Sequence, residues 1–306
     1  MSQGRAGQEG RGGQPDDARC PVCDDTGWKP TLDPSGVQRV VRCECWFEKA
    51  GRKQLTQARI PPLYRNCDLD NFHDYNDSLN AAVRAAHSFC DKFPVVDRGL
   101  LFIGLPGLGK THLAVSILKR AIQRTNVRGL FYTTPELLAL IRNTYNPDTR
   151  SSQAEIIQPV MDAQLLVLDD LGAERPTDWV EETLNLIVNT RYNYRRTTVF
   201  TSNYPLVLPS TLTAEDKDWH RFELKERVGF RLFSRLQEMC DFYRLDGVDY
   251  RELGPNPTSE DIAALAKRGS QTHGEQKIVR NKVMAKARLK GGNIDLGWSG
   301  GKAGRS

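Results

Sequence analysis

The chain has 306 residues, 39% hydrophobic and 26% charged, with a formal net charge of +5. That profile suits a globular protein able to bury a core, and it excludes collagen-like, coiled-coil and wholly disordered classes. No run of about 18 apolar residues occurs, which excludes a transmembrane helix and, with no apolar stretch in residues 1–19 to act as a secretory signal, leads us to expect a cytoplasmic protein.

The positive charge is concentrated at one end. Residues 255–306 hold ten Lys or Arg against four Asp or Glu, which leaves the rest near neutrality. Residues 1–19, rich in Gly, Gln and charge, offer too little apolar surface to offset ordering entropy, so disorder is expected there.

Four of the seven cysteines cluster next. Cys20-Pro-Val-Cys23 and Cys43-Glu-Cys45 frame nineteen residues, and two close thiol pairs suit one tetrahedral zinc ion in a closed, structural site. A segment this small cannot build its own apolar core, so a metal staple is physically motivated. A redox pair or unpaired thiols is the alternative. Cys67, Cys90 and Cys240 fall at isolated positions and read as buried small apolar residues.

Residues 46–66 read as a polar helix and connector, broken by Pro61-Pro62. Residues 77–92 carry Ala82, Ala86, Phe89 and Cys90 at helical spacing. Strand and helix then alternate. Residues 100–104, 129–133, 165–169 and 197–201 read as strands. Residues 110–124, 135–145, 151–161 and 179–194 read as helices. This order implies a parallel sheet covered by helices on both faces.

Between the first of these strands and its helix lies Gly104-Leu105-Pro106-Gly107-Leu108-Gly109-Lys110-Thr111, followed by His112. It matches G-x-x-x-x-G-K-[ST], the loop whose backbone N–H groups cradle phosphate oxygens at a helix N-terminus. Lys110 is expected to reach the β- and γ-phosphates, and Thr111 to ligate magnesium. The strand 165–169 ends in Asp169-Asp170, and ligands of open parallel sheets bind at the C-terminal ends of their strands. Asp169 is expected to hold the magnesium ion of bound ATP. Asp170 either polarises the attacking water or caps the turn before Gly172. Asn203 ends the next strand, as a partner of the γ-phosphate or lytic water, or as a turn residue before Tyr204-Pro205.

Arg227, Arg231 and Arg235 recur at spacing four, which places three guanidiniums on one helical face. That face is either solvated or holds an arginine finger for a neighbouring subunit's nucleotide. In the tail, residues 259–268 have the charge order of a short helix. Residues 275–290 are either a basic helix that forms on DNA or a partner, or a solubilising segment.

These elements in this order resemble the AAA+ ATPases, specifically the bacterial helicase loaders of the DnaC and DnaI type and their relative, the transposition helper IstB. Ile60-Pro61-Pro62-Leu63-Tyr64-Arg65, the phosphate loop and Asp169-Asp170-Leu171-Gly172-Ala173-Glu174 carry the likeness. So do Arg191-Tyr192, Thr201-Ser202-Asn203, Arg231 to Leu236 and Asp249-Tyr250-Arg251. The resemblance implies an α/β AAA+ P-loop fold without a separate lid domain, preceded by a small zinc module. It makes Asn203 the sensor asparagine, Arg231 a second nucleotide-sensing arginine and Arg235 the trans-acting finger. Residues 135–160 then contact single-stranded DNA, with Tyr145, Arg142 and Arg150 available. The activity implied is slow ATP hydrolysis, regulated by partner or DNA, in an ATP-dependent homo-oligomer that loads a hexameric replicative helicase. An IstB-like DNA-binding helper ATPase is the alternative. The implied divisions are a zinc module at 20–46, a linker and adenine-side segment at 47–76, the ATPase domain at 77–254 and a basic tail at 255–306.

Overall fold

The computed structural model describes residues 19–145, 152–206, 223–254 and 257–271, with residues 269–271 in backbone only. The segments 1–18, 146–151 and 275–290, and with them Arg150, lie outside the described residues.

The chain opens with an antiparallel pair, β1 (Trp28–Leu32) and β2 (Gln38–Arg42), followed by helix α1 (Glu44–Gln57). Helix α2 (Asp77–Lys92) starts at Asn76, whose side chain accepts the Leu79 N–H and so satisfies one free donor of the first turn. Then come β3 (Gly99–Ile103), α3 (Lys110–Thr125), β4 (Gly129–Thr133) and α4 (Thr134–Asn143). They are followed by α5 (Gln153–Asp162), β5 (Leu165–Asp169), α6 (Asp178–Asn193) and β6 (Thr197–Ser202). Last come α7 (Leu224–Val228), α8 (Phe230–Met239), β7 (Cys240–Arg244) and α9 (Ser259–Gln271).

The main sheet has five parallel strands in the order β4-β5-β6-β3-β7. Side chains alternate across each strand, so neighbours in sequence feed opposite cores. Leu100, Phe102, Leu165 and Val167 face one layer with α2 and α3. Leu101, Ile103, Leu166 and Leu168 face the other, with α4, α5, α6 and α8. Because the central strands are covered on both faces, they are continuously apolar rather than alternating.

The polar helix expected within 46–66 is α1, which docks through the buried Gly51 and Ala58. The structure departs from the sequence reading in two places. The arginine face is broken, because Gly229 (φ 80°, ψ 155°) separates α7 from α8 and puts Arg227 on a different helix from Arg231 and Arg235. And β7 adds a fifth strand at the sheet edge that the sequence pattern did not announce.

Candidate functional site

The phosphate loop follows β3, with β6 and β7 on either side. Gly107 (φ 80°) and Gly109 (φ 79°) both lie in the left-handed region, which lets the loop fold back on itself ahead of α3. Leu108 is buried and anchors the loop, Leu105 is exposed, and the Gly104 N–H donates to the Ser202 carbonyl at 3.2 Å. Lys110 is only 5% exposed, and its ammonium donates to the Leu105 carbonyl at 2.7 Å. Burial pulls its pKa down to about 8, against the pull of the Asp170 and Asp169 carboxylates. A cation held with so few partners has donors left for an anionic ligand.

Thr111, next in line, donates its hydroxyl to both Asp169 oxygens, at 2.9 and 3.1 Å. Thr201 on β6 donates to the same carboxylate at 2.6 Å. Burial raises the Asp169 pKa to about 6, opposed by the Thr201 hydrogen bond and reinforced by the Asp170 charge. A carboxylate and a hydroxyl oxygen together are the hard donor set that magnesium takes, and with the loop amides and Lys110 they fit a magnesium-bound nucleotide.

Asp170 has φ 54°, and the Asn203 side-chain amide donates to its carboxylate at 2.9 Å. The strand ends at Asp170 and Asn203 are therefore joined directly. His112 turns away from the loop: its Nε2 donates to the Asp68 carbonyl at 2.8 Å and its ring meets Phe72 edge-on.

The arginines separate by location. Arg227 donates to the carbonyls of Gly172, Ala173 and Glu174, so it braces the loop after Asp170. Arg231 is exposed and makes no ion pair among the described residues. Arg235 lies 4.6 Å over the Tyr192 ring and pairs with Glu238 at 2.9 Å, half-exposed and without a contact to its own phosphate loop among those described.

Two groups against the loop were not singled out from sequence. Thr201 orients Asp169, as described. Asp249-Tyr250-Arg251, read only as part of a family likeness, folds onto the loop: the Tyr250 N–H donates to the Gly107 carbonyl at 3.1 Å, and the Asp249 carboxylate packs directly on Gly107. Arg251 pairs with Asp249 at 2.9 Å. The fold thus brings Arg251 beside the phosphate loop, whereas no contact of Arg231 with that loop is among those described. The only advance signal was the arginine itself, since the approach depends on β7 running alongside β3.

The cysteine segment is built around sulfur. Among residues 20–45 only Cys23, Gly27 and Cys43 are buried, so no apolar core exists there. The four Sγ atoms lie within 4.8 Å of one another, with Cys20 to Cys43 at 3.8 Å and Cys23 to Cys45 at 3.3 Å. A tetrahedral ion with sulfur at about 2.3 Å needs sulfurs roughly 3.8 Å apart, so the cluster fits one zinc. Cys67, outside the cluster, is half-buried, whereas Cys90 and Cys240 are buried.

No helix among the described residues is long and apolar enough to cross a membrane. The profile of the IstB-like ATP binding protein family matches residues 37–251. The replicative helicase loader DnaC of Escherichia coli (strain K12) is 24% identical over 152 residues, 50% of this chain and 61% of its own. That of Buchnera aphidicola subsp. Baizongia pistaciae (strain Bp) is 27% identical over 149 residues, 49% of this chain and 60% of its own. The chain thus spans about three fifths of the length of these curated relatives. A crystal structure of the DnaC helicase loader superposes with a TM-score of 0.52 at 33% identity, over 60% of this chain and 99% of that one. The AMPPCP-bound DnaA of Aquifex aeolicus, at a TM-score of 0.50 and 17% identity over 76% of this chain and 71% of its own, shares the fold. With its phosphate loop, acidic strand end and five-stranded parallel sheet, the chain has the AAA+ P-loop fold and belongs to the family of IstB-like ATP-binding proteins.

Proposed function

We propose that this protein is an ATP-hydrolysing switch that loads a replicative helicase onto DNA. The observation that carries the ATPase reading is the meeting of Thr111 with Asp169 beside the buried Lys110. Bound magnesium-ATP supplies the phosphoryl group and a charge-neutralising ion. Lys110 offsets charge on the β- and γ-phosphates, and Thr111 and Asp169 hold the ion. Asp170, held by Asn203, orients and polarises the attacking water. Arg251 lies beside the phosphate loop of its own chain and senses the bound nucleotide, alongside the sensing part that the resemblance implies for Arg231. Arg235 serves a neighbouring subunit, in an assembly that forms with ATP. Turnover is slow, and partner or DNA sets its rate.

The helicase-loading part draws support from the crystallised DnaC chain, 99% of which the superposition covers, and from the cysteine module ahead of the sheet. That module, residues 20–46, holds one zinc. Residues 135–160 contact single-stranded DNA, through Arg142 and Tyr145. The basic tail from 255 onward meets an anionic partner, and the protein works in the cytoplasm.

The second reading is an IstB-like transposition helper that binds DNA, favoured by the family profile. Purified full chain, ATP and single-stranded DNA, mixed separately with the host's replicative helicase and with an IS21-type transposase, separate the two. Helicase assembly onto DNA that depends on ATP supports loading. A complex with transposase and none with helicase supports the alternative.

A further inference from the structure

The cysteine cluster and the phosphate loop lie far apart in sequence, yet one stretch of chain connects them along a single helix. Cys43 is the N-cap of α1 and Cys45 lies in its first turn, so the cluster holds the free end of that helix. The first seven residues of α1 contain no buried side chain. Docking starts at Gly51, which seats on the C-terminal end of α3: a Cβ there would meet Asn126 Oδ1 at 3.1 Å. Ala58 is fully buried, and its carbonyl accepts the N–H of Phe131 on edge strand β4 at 2.8 Å.

Contacts then continue along α3 toward its start. Lys119 donates to the carbonyls of Arg65 and Cys67 at 2.7 and 2.6 Å. Arg120 pairs with Asp68 and Asp70 at 2.9 and 2.7 Å. In the first turn of α3, next to Thr111, His112 holds the Asp68 carbonyl, and the Phe72 ring packs on Gly109 of the phosphate loop. Residues 51–72 thus line α3 from its C-cap to its nucleotide end.

We propose that metal occupancy at Cys20, Cys23, Cys43 and Cys45 is thermodynamically linked to nucleotide affinity through this strap. The inference rests on the zinc and ATP assignments made above. Without the metal, the segment 20–45 has no core, and the unsupported first turns of α1 fray, since a helix this short is marginal without tertiary packing. Fraying loosens Gly51 on Asn126 and, through the continuous strap, Phe72 on the loop. Linkage is reciprocal, so nucleotide also retains the metal.

The test uses the full chain with its zinc content measured by elemental analysis. Affinity for a non-hydrolysable ATP analogue is measured by calorimetry before and after zinc removal, with magnesium restored, and hydrogen exchange is followed in both states. The expected result is affinity weakened by about fivefold or more, within the usual range of coupling between sites. Faster exchange should extend from residue 20 through 72, and the analogue should slow zinc release to a chromogenic chelator by a similar factor. Gly51→Ala, which keeps every thiol, should weaken analogue binding in the same direction while zinc stays bound. Unchanged affinity, with faster exchange confined to residues 20–50, would overturn the linkage and leave the zinc assignment standing. Protein that contains no zinc when purified under reducing conditions would overturn the zinc assignment and the linkage with it.

Discussion

The Thr111 hydroxyl donates to the Asp169 carboxylate at 2.9 Å, tying the first turn of α3 to the end of β5. Both groups are placed by backbone rather than by long flexible side chains. Thr111 follows a loop bent by two left-handed glycines, and Asp169 ends a fully buried strand. Such short, packed groups keep their geometry before a ligand arrives, which is what preorganised binding requires.

Asp169 gives a pH signature. Burial raises its folded pKa to about 6, above the ordinary carboxylate value. The folded protein then holds a proton that the unfolded chain releases, so this group's contribution to stability falls as pH rises from about 4 to about 6. Asp169→Asn removes the buried charge and should stabilise the nucleotide-free protein at pH 7.5, by at most about 3 kcal/mol. Urea titrations at pH 5 and pH 7.5 check this. The gain should shrink at pH 5, and an equal gain at both would count against the burial argument. The same variant should lose magnesium-dependent ATP binding.

Arg191 is a test of the scaffold. It is fully buried, with no carboxylate among the partners its hydrogen bonds reach. Its guanidinium donates to the carbonyls of Val160, Met161, Ala163 and Thr197 and to the Thr198 hydroxyl, so it caps the end of α5 and fixes that end to β6. Arg191→Met strands those acceptors, and a loss of about 3 kcal/mol or more is expected, measured by urea unfolding. Arg191→Lys, which lacks the planar fork, should fall between the two. A loss below about 1 kcal/mol for the methionine variant would show that the acceptors find other partners.

Much of this architecture was legible because its signals are local. The apolar runs Leu100 to Ile103 and Leu165 to Leu168 announce strands buried on both faces. The phosphate loop is a fixed spacing of glycines before a lysine. What escaped depends on tertiary contact. Strand β7 (Cys240–Arg244) mixes polar and apolar residues because it lies at the sheet edge, so its pattern is faint. Helix α1 read as polar, and its docking stayed hidden, because it docks through Gly51 and Ala58, which contribute almost nothing to a hydrophobic stripe. The three arginines at spacing four read as one face because a lone glycine can sit within a helix, and only its backbone angle at position 229 shows the break. Arg251 reaches the loop through the pairing of β7 with β3, which no local pattern encodes.

Arg235 should act across a subunit boundary. In its own chain it is occupied by Tyr192 and Glu238, so Arg235→Ala should retain ATP binding and lose turnover. Mixing Arg235→Ala with Lys110→Ala checks the direction. An intact Arg235 from one variant can then face an intact loop from the other. Partial recovery of turnover in co-assembled protein is expected. No recovery would confine Arg235 to packing or to its own site.

Arg251 should distinguish nucleotides. Its guanidinium is held by Asp249 beside Gly107, within reach of a charged ligand on the loop. Arg251→Ala should weaken ATP more than ADP, by about tenfold in ratio, roughly the worth of one charge-assisted hydrogen bond. Calorimetry with both nucleotides measures the ratio, and equal weakening would remove Arg251 from γ-phosphate recognition.

The most direct measurement compares ATP turnover by the wild-type chain and Lys110→Ala, each with magnesium, single-stranded DNA and the partner helicase present. Lys110 is the buried cation of the loop, and removing it takes away the charge that offsets the β- and γ-phosphates. Phosphate release by the wild type and none above background by the variant is the expected result. Release by Lys110→Ala at the wild-type rate would contradict the assignment of this loop as the site of hydrolysis.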